Sequence, residues 1–213
     1  MTFIDLCRRV RQDSGMSGDI ASVTSQQGQL AKLVTWVQQA EYDIVSSRTD
    51  WNFMRGKAAA QLVAGKVEYL PAELDMQPFA SVQAVYVDRQ PLRQFEFDYL
   101  DDMHLKNGGA PVGVPRGFAV TPDNKILFDN QPTQAMPVAI RYCKAAVRLT
   151  SNNQISPIPA AHTEVIIQAA LMNYARAEQD DYLLRDSTAA YDRHFSHLCS
   201  KQLPTIKIIG WGG

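Results

Sequence analysis

The feature that most constrains this chain is a long helical pattern over residues 161–203, which contains neither glycine nor proline. Between residues 166 and 198, mostly apolar side chains recur at alternating steps of three and four, which places them on one side of a helix. Polar residues interrupt this stripe, and Asp180-Asp181 can begin a second helix, so the pattern allows either one long helix or two. One helix cannot bury such a stripe alone, and partners must come from the same chain or from neighbouring copies.

Two further helices are predicted near the N-terminus. Residues 2–14 begin with Thr2 and Asp5 in the spacing of a capping box, and Gly15 supplies a stop. Residues 29–47 carry a clear amphipathic stripe and are followed by a bulky segment, Trp51-Asn52-Phe53-Met54. We expect the stripe of Leu33, Val37 and Ile44 to pack against Ile166, Ala170 and Leu184.

The middle of the chain changes from a helical period to an alternating one near residue 58. Residues 61–63 and 67–70 predict two short strands around a turn, and residues 95–105 fit either a strand or a short helix. Further strands are predicted at 82–87, 117–120, 125–128 and 138–142. Together they predict an antiparallel unit of five to seven short strands between two helical parts.

The predicted fold class is therefore α+β, a helical bundle scaffold of N- and C-terminal helices with an inserted small antiparallel β-domain. The predicted domains are a discontinuous bundle of residues 1–56 and 160–202 and an inserted β-domain of residues 57–159. Residues 203–213, here called the C-terminal arm, contain Pro204, which ends the helix, and are predicted to extend from the bundle.

Composition narrows the class of protein. The chain is 46% hydrophobic, which supports a packed core, and its net charge of −1 is balanced along its length. No segment has the basic excess that sequence-independent nucleic-acid binding requires. The cysteines Cys7, Cys143 and Cys199 are sparse and far apart, as in reduced thiols. Because no long apolar run is present, we expect a soluble protein made in a cytoplasm.

Two groups of side chains have spacings that metal sites can use. His194 and His197 stand three residues apart, with Cys199 nearby, but no second ligand cluster accompanies them, so surface or interface histidines are favoured. The second group is acidic, and it lacks the glycine and the terminal glutamate of an EF-hand loop. A solvated face or a helix start is therefore favoured over a cation site. That group contains Glu96, Asp98, Asp101 and Asp102.

Known catalytic and phosphate-binding motifs do not occur in the sequence. The loop containing Gly108-Gly109 and Gly113 matches neither a P-loop nor a dinucleotide-binding motif, and G-x-S-x-G is absent. A Ser/His/Asp site could still assemble from distant residues. Arg8, Arg9 and Arg11 lie beside carboxylates, so a solvated helix face is favoured over a phosphate site. We predict no catalytic residue, no cofactor and no metal, and hence no enzyme.

The order of features resembles the head-to-tail adaptor, or connector, proteins of tailed bacteriophages. The resemblance covers most of residues 1–200 and follows the aromatic segment, the strands after it and the start of the long helix. The residues that carry it are Trp51-Asn52-Phe53-Met54, Gly117-Phe118, Ile126-Leu127-Phe128, Val138-Ala139-Ile140-Arg141-Tyr142, Ile158-Pro159, His162, Val165-Ile166, Ala169-Ala170 and Tyr174-Ala175.

The resemblance implies a virion structural protein, made in the host bacterial cytoplasm, that forms a homo-oligomeric ring, usually dodecameric. Its implied partners are the portal protein and a tail or nozzle protein, with genomic DNA passing through without sequence-specific binding. Relatives credited with cell-wall hydrolysis suggest an alternative, a peptidoglycan-degrading virion hydrolase using Glu68, Glu96 and Asp98. A small oligomeric binding module, with the β-part as its ligand surface, is the other alternative.

Two sets of residues are predicted to make the contacts of such a ring. The C-terminal arm is short and apolar, which makes its exposure to water costly, so we expect it to bind the portal or a neighbouring subunit. Its predicted contact residues are Ile206, Ile208, Ile209 and Trp211, with Trp211 in a pocket. On the long helix, the predicted subunit interface contains Tyr182, Arg185, Tyr191 and Phe195.

Overall fold

The computed structural model describes residues 1–204, and these residues form five α-helices and eight β-strands. The predicted contact residues of the C-terminal arm, Ile206, Ile208, Ile209 and Trp211, lie outside the described residues. The helices are α1 (Phe3–Asp13), α2 (Gly28–Ser46), α3 (Phe97–Lys106), α4 (Glu164–Glu178) and α5 (Asp181–Gln202). The strands are β1 (Arg55–Leu62), β2 (Glu68–Tyr69), β3 (Ser81–Val87), β4 (Gln90–Pro91), β5 (Arg93–Gln94), β6 (Gly117–Val120), β7 (Ile126–Phe128) and β8 (Met136–Cys143).

The chain divides into two compact units. The helical unit contains Met1–Phe53 and the described residues from Ala146 onward, and the β-unit is Met54–Ala145. The predicted α+β class, with N- and C-terminal helices flanking the strands, is confirmed. This division differs from the predicted domain boundaries because residues 146–159 belong to the helical unit.

Hydrogen bonds explain why residues 146–159 lie in the helical unit. Gln38 of α2 donates to the carbonyl of Leu149 at 2.5 Å. The side chain of Asn152 accepts from the backbone N–H of Val23, 2.8 Å away. Residues 146–159 contain none of the eight strands, so their backbone polar groups are satisfied by the helices and by the loop between α1 and α2.

The first helix begins as the sequence predicts. The Thr2 hydroxyl accepts from the Asp5 backbone N–H, and the Asp5 carboxylate accepts from the Thr2 N–H at 3.1 Å. This reciprocal cap satisfies donors that a helix start otherwise leaves unpaired. Behind the cap, Phe3, Leu6 and Val10 are buried on the inner face of α1.

The long helical pattern forms two helices rather than one. Gln179 has a left-handed backbone (φ 57°), which ends α4, and Asp180 caps α5 by accepting from the Leu183 N–H at 2.9 Å. Helix α4 packs against α1, α2 and α5, and the face that it buries includes Ile166. The stripe of α2 is buried as predicted, whereas Leu184 of α5 is only half-buried.

The β-unit, residues 54–145, contains two four-stranded sheets around an apolar core. One sheet has the order β1-β8-β3-β4 with antiparallel pairing throughout, and the other has the order β2-β7-β6-β5. The pairing of β5 with β6 is parallel, an exception to the predicted antiparallel arrangement. The shared core includes Leu62, Leu74, Met76, Val85, Phe118, Phe128 and Ile140.

The structure decides two local points in this region that the sequence left open. The strands around Gly65 do not pair with each other, because β1 pairs along its whole length with β8 while β2 pairs with β7 in the other sheet. The segment 95–105, which fitted either a strand or a short helix, contains helix α3, and the N-cap of that helix is Glu96.

Candidate assembly surfaces

The four predicted interface residues of α5 fall into two pairs with different surroundings. Tyr182, which is 85% exposed, and Arg185 lie on the surface near the start of the helix. Tyr191 and Phe195 are half-buried and stacked on each other, with ring centroids 5.4 Å apart. The first pair is therefore accessible to another protein, while the second also packs within the helical unit.

An aromatic cluster connects Phe195 to the residues after α2. Trp51 is fully buried, meets the Phe195 ring edge-on at 6.2 Å and stacks on Phe53 at 5.3 Å. Its indole N–H donates to the Ile44 carbonyl, 3.3 Å away. The aromatic segment noted in the sequence thus joins the end of α2 to α5, which lie far apart along the chain.

One histidine of α5, His197, has a partner that its spacing from His194 in the sequence did not suggest. The His197 ring lies 5.0 Å from that of His162, which is buried just before α4. Burial, with smaller effects from His197 and Lys201, lowers the pKa of His162. In residues 1–204, histidine, cysteine and carboxylate side chains nowhere form a group of three that could hold a metal ion.

The carboxylate of Glu68, considered for catalysis, belongs to an ion-pair network. It lies 2.6 Å from the ammonium of Lys125, which also contacts Asp123 at 2.9 Å. Hydrogen bonds to these two carboxylates raise the pKa of Lys125, so its positive charge persists beside Glu68. A glutamate whose ionised form is paired in this way is poorly suited to act as a general acid.

The other acidic candidates lie on helix α3 or at its start. Glu96 and Asp98 are exposed at the first turn, where acidic side chains interact favourably with the helix dipole. Asp102 pairs with Lys106 one turn later, at 3.3 Å, and Asp101 is half-buried. The acidic group is therefore a helix start and a solvated face, as the sequence favoured.

The N-terminal arginines mainly hold a loop in place. Arg8 donates to the Ile20 carbonyl at 3.0 Å, and Arg11 donates to the Gly18 carbonyl at 2.8 Å. Arg9 forms a surface ion pair with a carboxylate of the same helix. Because two of the three side chains bind backbone oxygens, their role is to fold the loop after α1.

Glu41 is a buried acid that the sequence analysis did not single out. It lies on the apolar face of α2, and its Oε1 accepts from the Ser156 hydroxyl at 2.8 Å. Within the described residues, Oε2 has no hydrogen-bond partner. Burial raises the pKa of Glu41 to about 7, against a smaller opposing effect of the Ser156 hydrogen bond. Glu41 stands four residues after Val37 and three before Ile44, and this helical spacing was the signal in the sequence that Glu41 lies on the buried face.

Concave surface in the β-unit adjoins the β3–β4 hairpin. A shallow trough of about 720 Å³ is lined by the hairpin and by residues of β1 and β8, among them Ala59 and Ala139. A second cavity, of about 490 Å³, is lined by the same hairpin together with Met136 and Val114. We call the second cavity the hairpin pocket.

The hairpin makes an unusual turn. Asp88 and Arg89, the two residues between β3 and β4, both have positive φ angles, 48° and 66°. This geometry fits the twist of a two-residue hairpin, although glycine or asparagine usually occupies such positions. The hairpin and the cavities that it lines are a candidate surface for contacts with another protein.

Through residue 204, no helix combines the length and apolarity that crossing a membrane requires. The chain belongs to the SU10 adaptor protein family, whose model matches residues 1–204. No curated protein sequence matches the chain significantly. It is a bacteriophage adaptor, a structural component of the virion that associates with portal and tail components, and the resemblance noted in the sequence is confirmed.

Proposed function

We propose that this protein forms a dodecameric ring between portal and tail, and that the ring continues the channel through which genomic DNA passes. The observation that carries the proposal is the match of the adaptor family over residues 1–204, which includes both units of the chain. The charge balance of the sequence is consistent with a conduit, because a strongly basic lumen would retain the DNA that it must release.

A closed ring of more than two copies needs two different surfaces on each subunit. The start of α5 supplies a candidate for one of them, because Tyr182 and Arg185 are exposed there. Tyrosine and arginine are enriched among the residues that contribute most to binding energy. The second surface belongs to the N-terminal helix or to the β-unit of the neighbouring copy.

The C-terminal arm supplies a further contact, to the portal or to a neighbouring subunit. Four of its residues, Ile206, Ile208, Ile209 and Trp211, are large and apolar, and burying them in a partner is favourable. An extended segment of this length can add a strand to an existing sheet edge and insert one large side chain into a pocket. The chain shortened after Leu203 should fold normally but fail to join rings with the portal.

The mass of the protein in solution, alone and mixed with its portal, tests the ring. We expect a discrete complex containing twelve adaptor copies when the portal is present. Tyr182→Ala should reduce the yield of that complex at least tenfold, while Val147→Ala, which changes an exposed residue of the helical unit outside α1 and α5, should leave it unchanged. A subunit that remains monomeric with the portal, or an assembly containing only two-fold contacts, would contradict the ring.

A further inference from the structure

We propose that the hairpin pocket receives the C-terminal arm of a neighbouring copy, with Trp211 as the inserted side chain. The proposal rests on the homo-oligomer of the proposed function and names the receiving site of one contact within it. An arm that binds the β-unit of the next copy joins two different surfaces, which is the kind of contact that a closed ring repeats.

The pocket has the size and lining that an apolar side chain requires. Its volume of about 490 Å³ falls within the range of natural ligand pockets. Most of its lining is apolar, and Val114 at its edge is 54% exposed. The apolar lining residues are Val87, Pro91, Leu92, Val114, Pro115 and Met136.

Hydrogen bonds hold the walls of the pocket in place. On the hairpin side, the Leu92 N–H donates to the Val85 carbonyl at 2.9 Å. On the loop side, the Asn130 side chain donates to the Val114 carbonyl at 3.0 Å, and the Arg116 N–H donates to Asp129 at 2.9 Å. A pocket with fixed walls loses little entropy when it is filled, which favours binding of a short segment.

The pocket lies at one end of the strands of the β-unit. Strand β8 begins at Met136, which pairs with Leu62, and the chain enters and leaves the β-unit at Met54 and Ala145, beyond the other end of the same strands. Eight paired residues at about 3.3 Å each separate these two ends by about 25 Å. The chain connections therefore do not pass over the pocket.

The sequence of the arm complements the pocket. Trp211 stands between two glycines, which allow the backbone on either side to approach a surface closely. Residues 205–213 carry one charged side chain, that of Lys207, and the pocket lining contains one residue of each charge, Asp88 and Arg116, so the match between arm and pocket is apolar. Nine residues span up to about 30 Å when extended, so the arm can reach a site at some distance from the end of α5.

A labelled peptide of residues 203–213 tests the site without requiring a ring. The receiver is the full-length chain carrying Trp211→Ala, so that its own arm does not compete, and binding is followed by fluorescence anisotropy. We expect saturable binding that weakens at least tenfold when the peptide itself carries Trp211→Ala. Val114→Lys in the receiver should weaken binding as strongly, whereas Leu105→Lys, which changes an exposed apolar residue of α3, should not.

The outcomes separate this inference from the proposed function. Absence of saturable binding, equal effects of the two lysine variants, or binding of the peptide only by the portal would each overturn the assignment of the pocket. A ring that forms with the portal would still support the proposed function in those cases. Conversely, peptide binding at the pocket with no ring would leave the assignment of the pocket in place and refute the ring.

Discussion

The helical unit and the β-unit differ in where their ionisable groups lie. In the helical unit, Glu41 and His162 are buried, and burial is the main cause of their shifted pKa values. In the β-unit, Lys125 forms ion pairs with Glu68 and Asp123 near the surface, where water screens the charges. We therefore expect the stability of the helical unit to respond to pH, while the β-unit responds mainly to changes in its packing.

The largest effect is expected from a charge placed in the core of the helical unit. Val37 is fully buried on α2, so Val37→Asp would bury a carboxylate without a partner. The free energy of unfolding should fall by about 3–5 kcal/mol, measured by denaturant titration. Val147→Asp, at a position of the same unit that is 54% exposed, should change it by less than about 0.5 kcal/mol. Equal melting of Val37→Asp and the parent would show that the assignment of α2 to the core is wrong.

The second effect concerns Glu41 and pH. Because the pKa is raised from 4.5 to about 7, the folded state holds the proton more tightly than the unfolded state does. The contribution of protonated Glu41 to the free energy of unfolding is fully present below pH 4.5 and is lost as pH rises through 7. The free energy of unfolding should change by about 3 kcal/mol over this range. Glu41→Gln should remove this dependence.

A control in the β-unit has the opposite sign. Hydrogen bonds from Lys66 and Leu70 lower the pKa of Glu73, so its stabilisation is present above the ordinary value of 4.5 and is lost as pH falls through the lower folded pKa. Glu73→Gln should therefore leave the loss of stability between pH 4.5 and 7 intact. If Glu41→Gln and Glu73→Gln gave the same pH profile, the contrast between the units would not hold.

The third effect tests packing in the β-unit. A Cβ atom at Gly117 would lie 2.1 Å from the ring of Phe95, which is closer than any real contact, so neighbouring groups would have to move. Gly117→Ala should therefore cost about 1–3 kcal/mol in thermal or denaturant unfolding. Gly113→Ala is the matched change, because its nearest neighbour would be at an ordinary 3.7 Å. A cost at Gly113 equal to that at Gly117 would rule out the close approach to Phe95 as the cause.

The smallest effect is expected from His162. Its pKa is lowered, so the stabilisation is present above the ordinary value of 6.5 and is lost as pH falls below it. His162→Asn should reduce the difference in unfolding free energy between about pH 8 and about pH 5. An unaltered pH dependence in His162→Asn would show that protonation of this ring is not linked to folding.

Several features of the fold were predictable because they depend on nearby residues. The Thr2–Asp5 cap, the stripe of α2 and the two possible forms of the region after residue 161 follow from spacings of three and four along a helix. The hairpin between β6 and β7 follows from a short turn between two apolar runs. The exposed position of Tyr182 was also consistent with its predicted place at an interface, which remains a prediction.

Other features were decided by contacts between residues far apart in the sequence. The period of two predicts a strand but does not select its partner, so β1 and β2 could enter different sheets. The pairing of His162 with His197 and the contact of Ser156 with Glu41 depend on how the helical unit packs, and neither pair has a local signal. The sequence by itself determined the local periods, caps and composition, because these arise from neighbouring residues. Only the tertiary structure decided strand partners, buried ionisable groups and the hairpin pocket, because each depends on which distant segments meet.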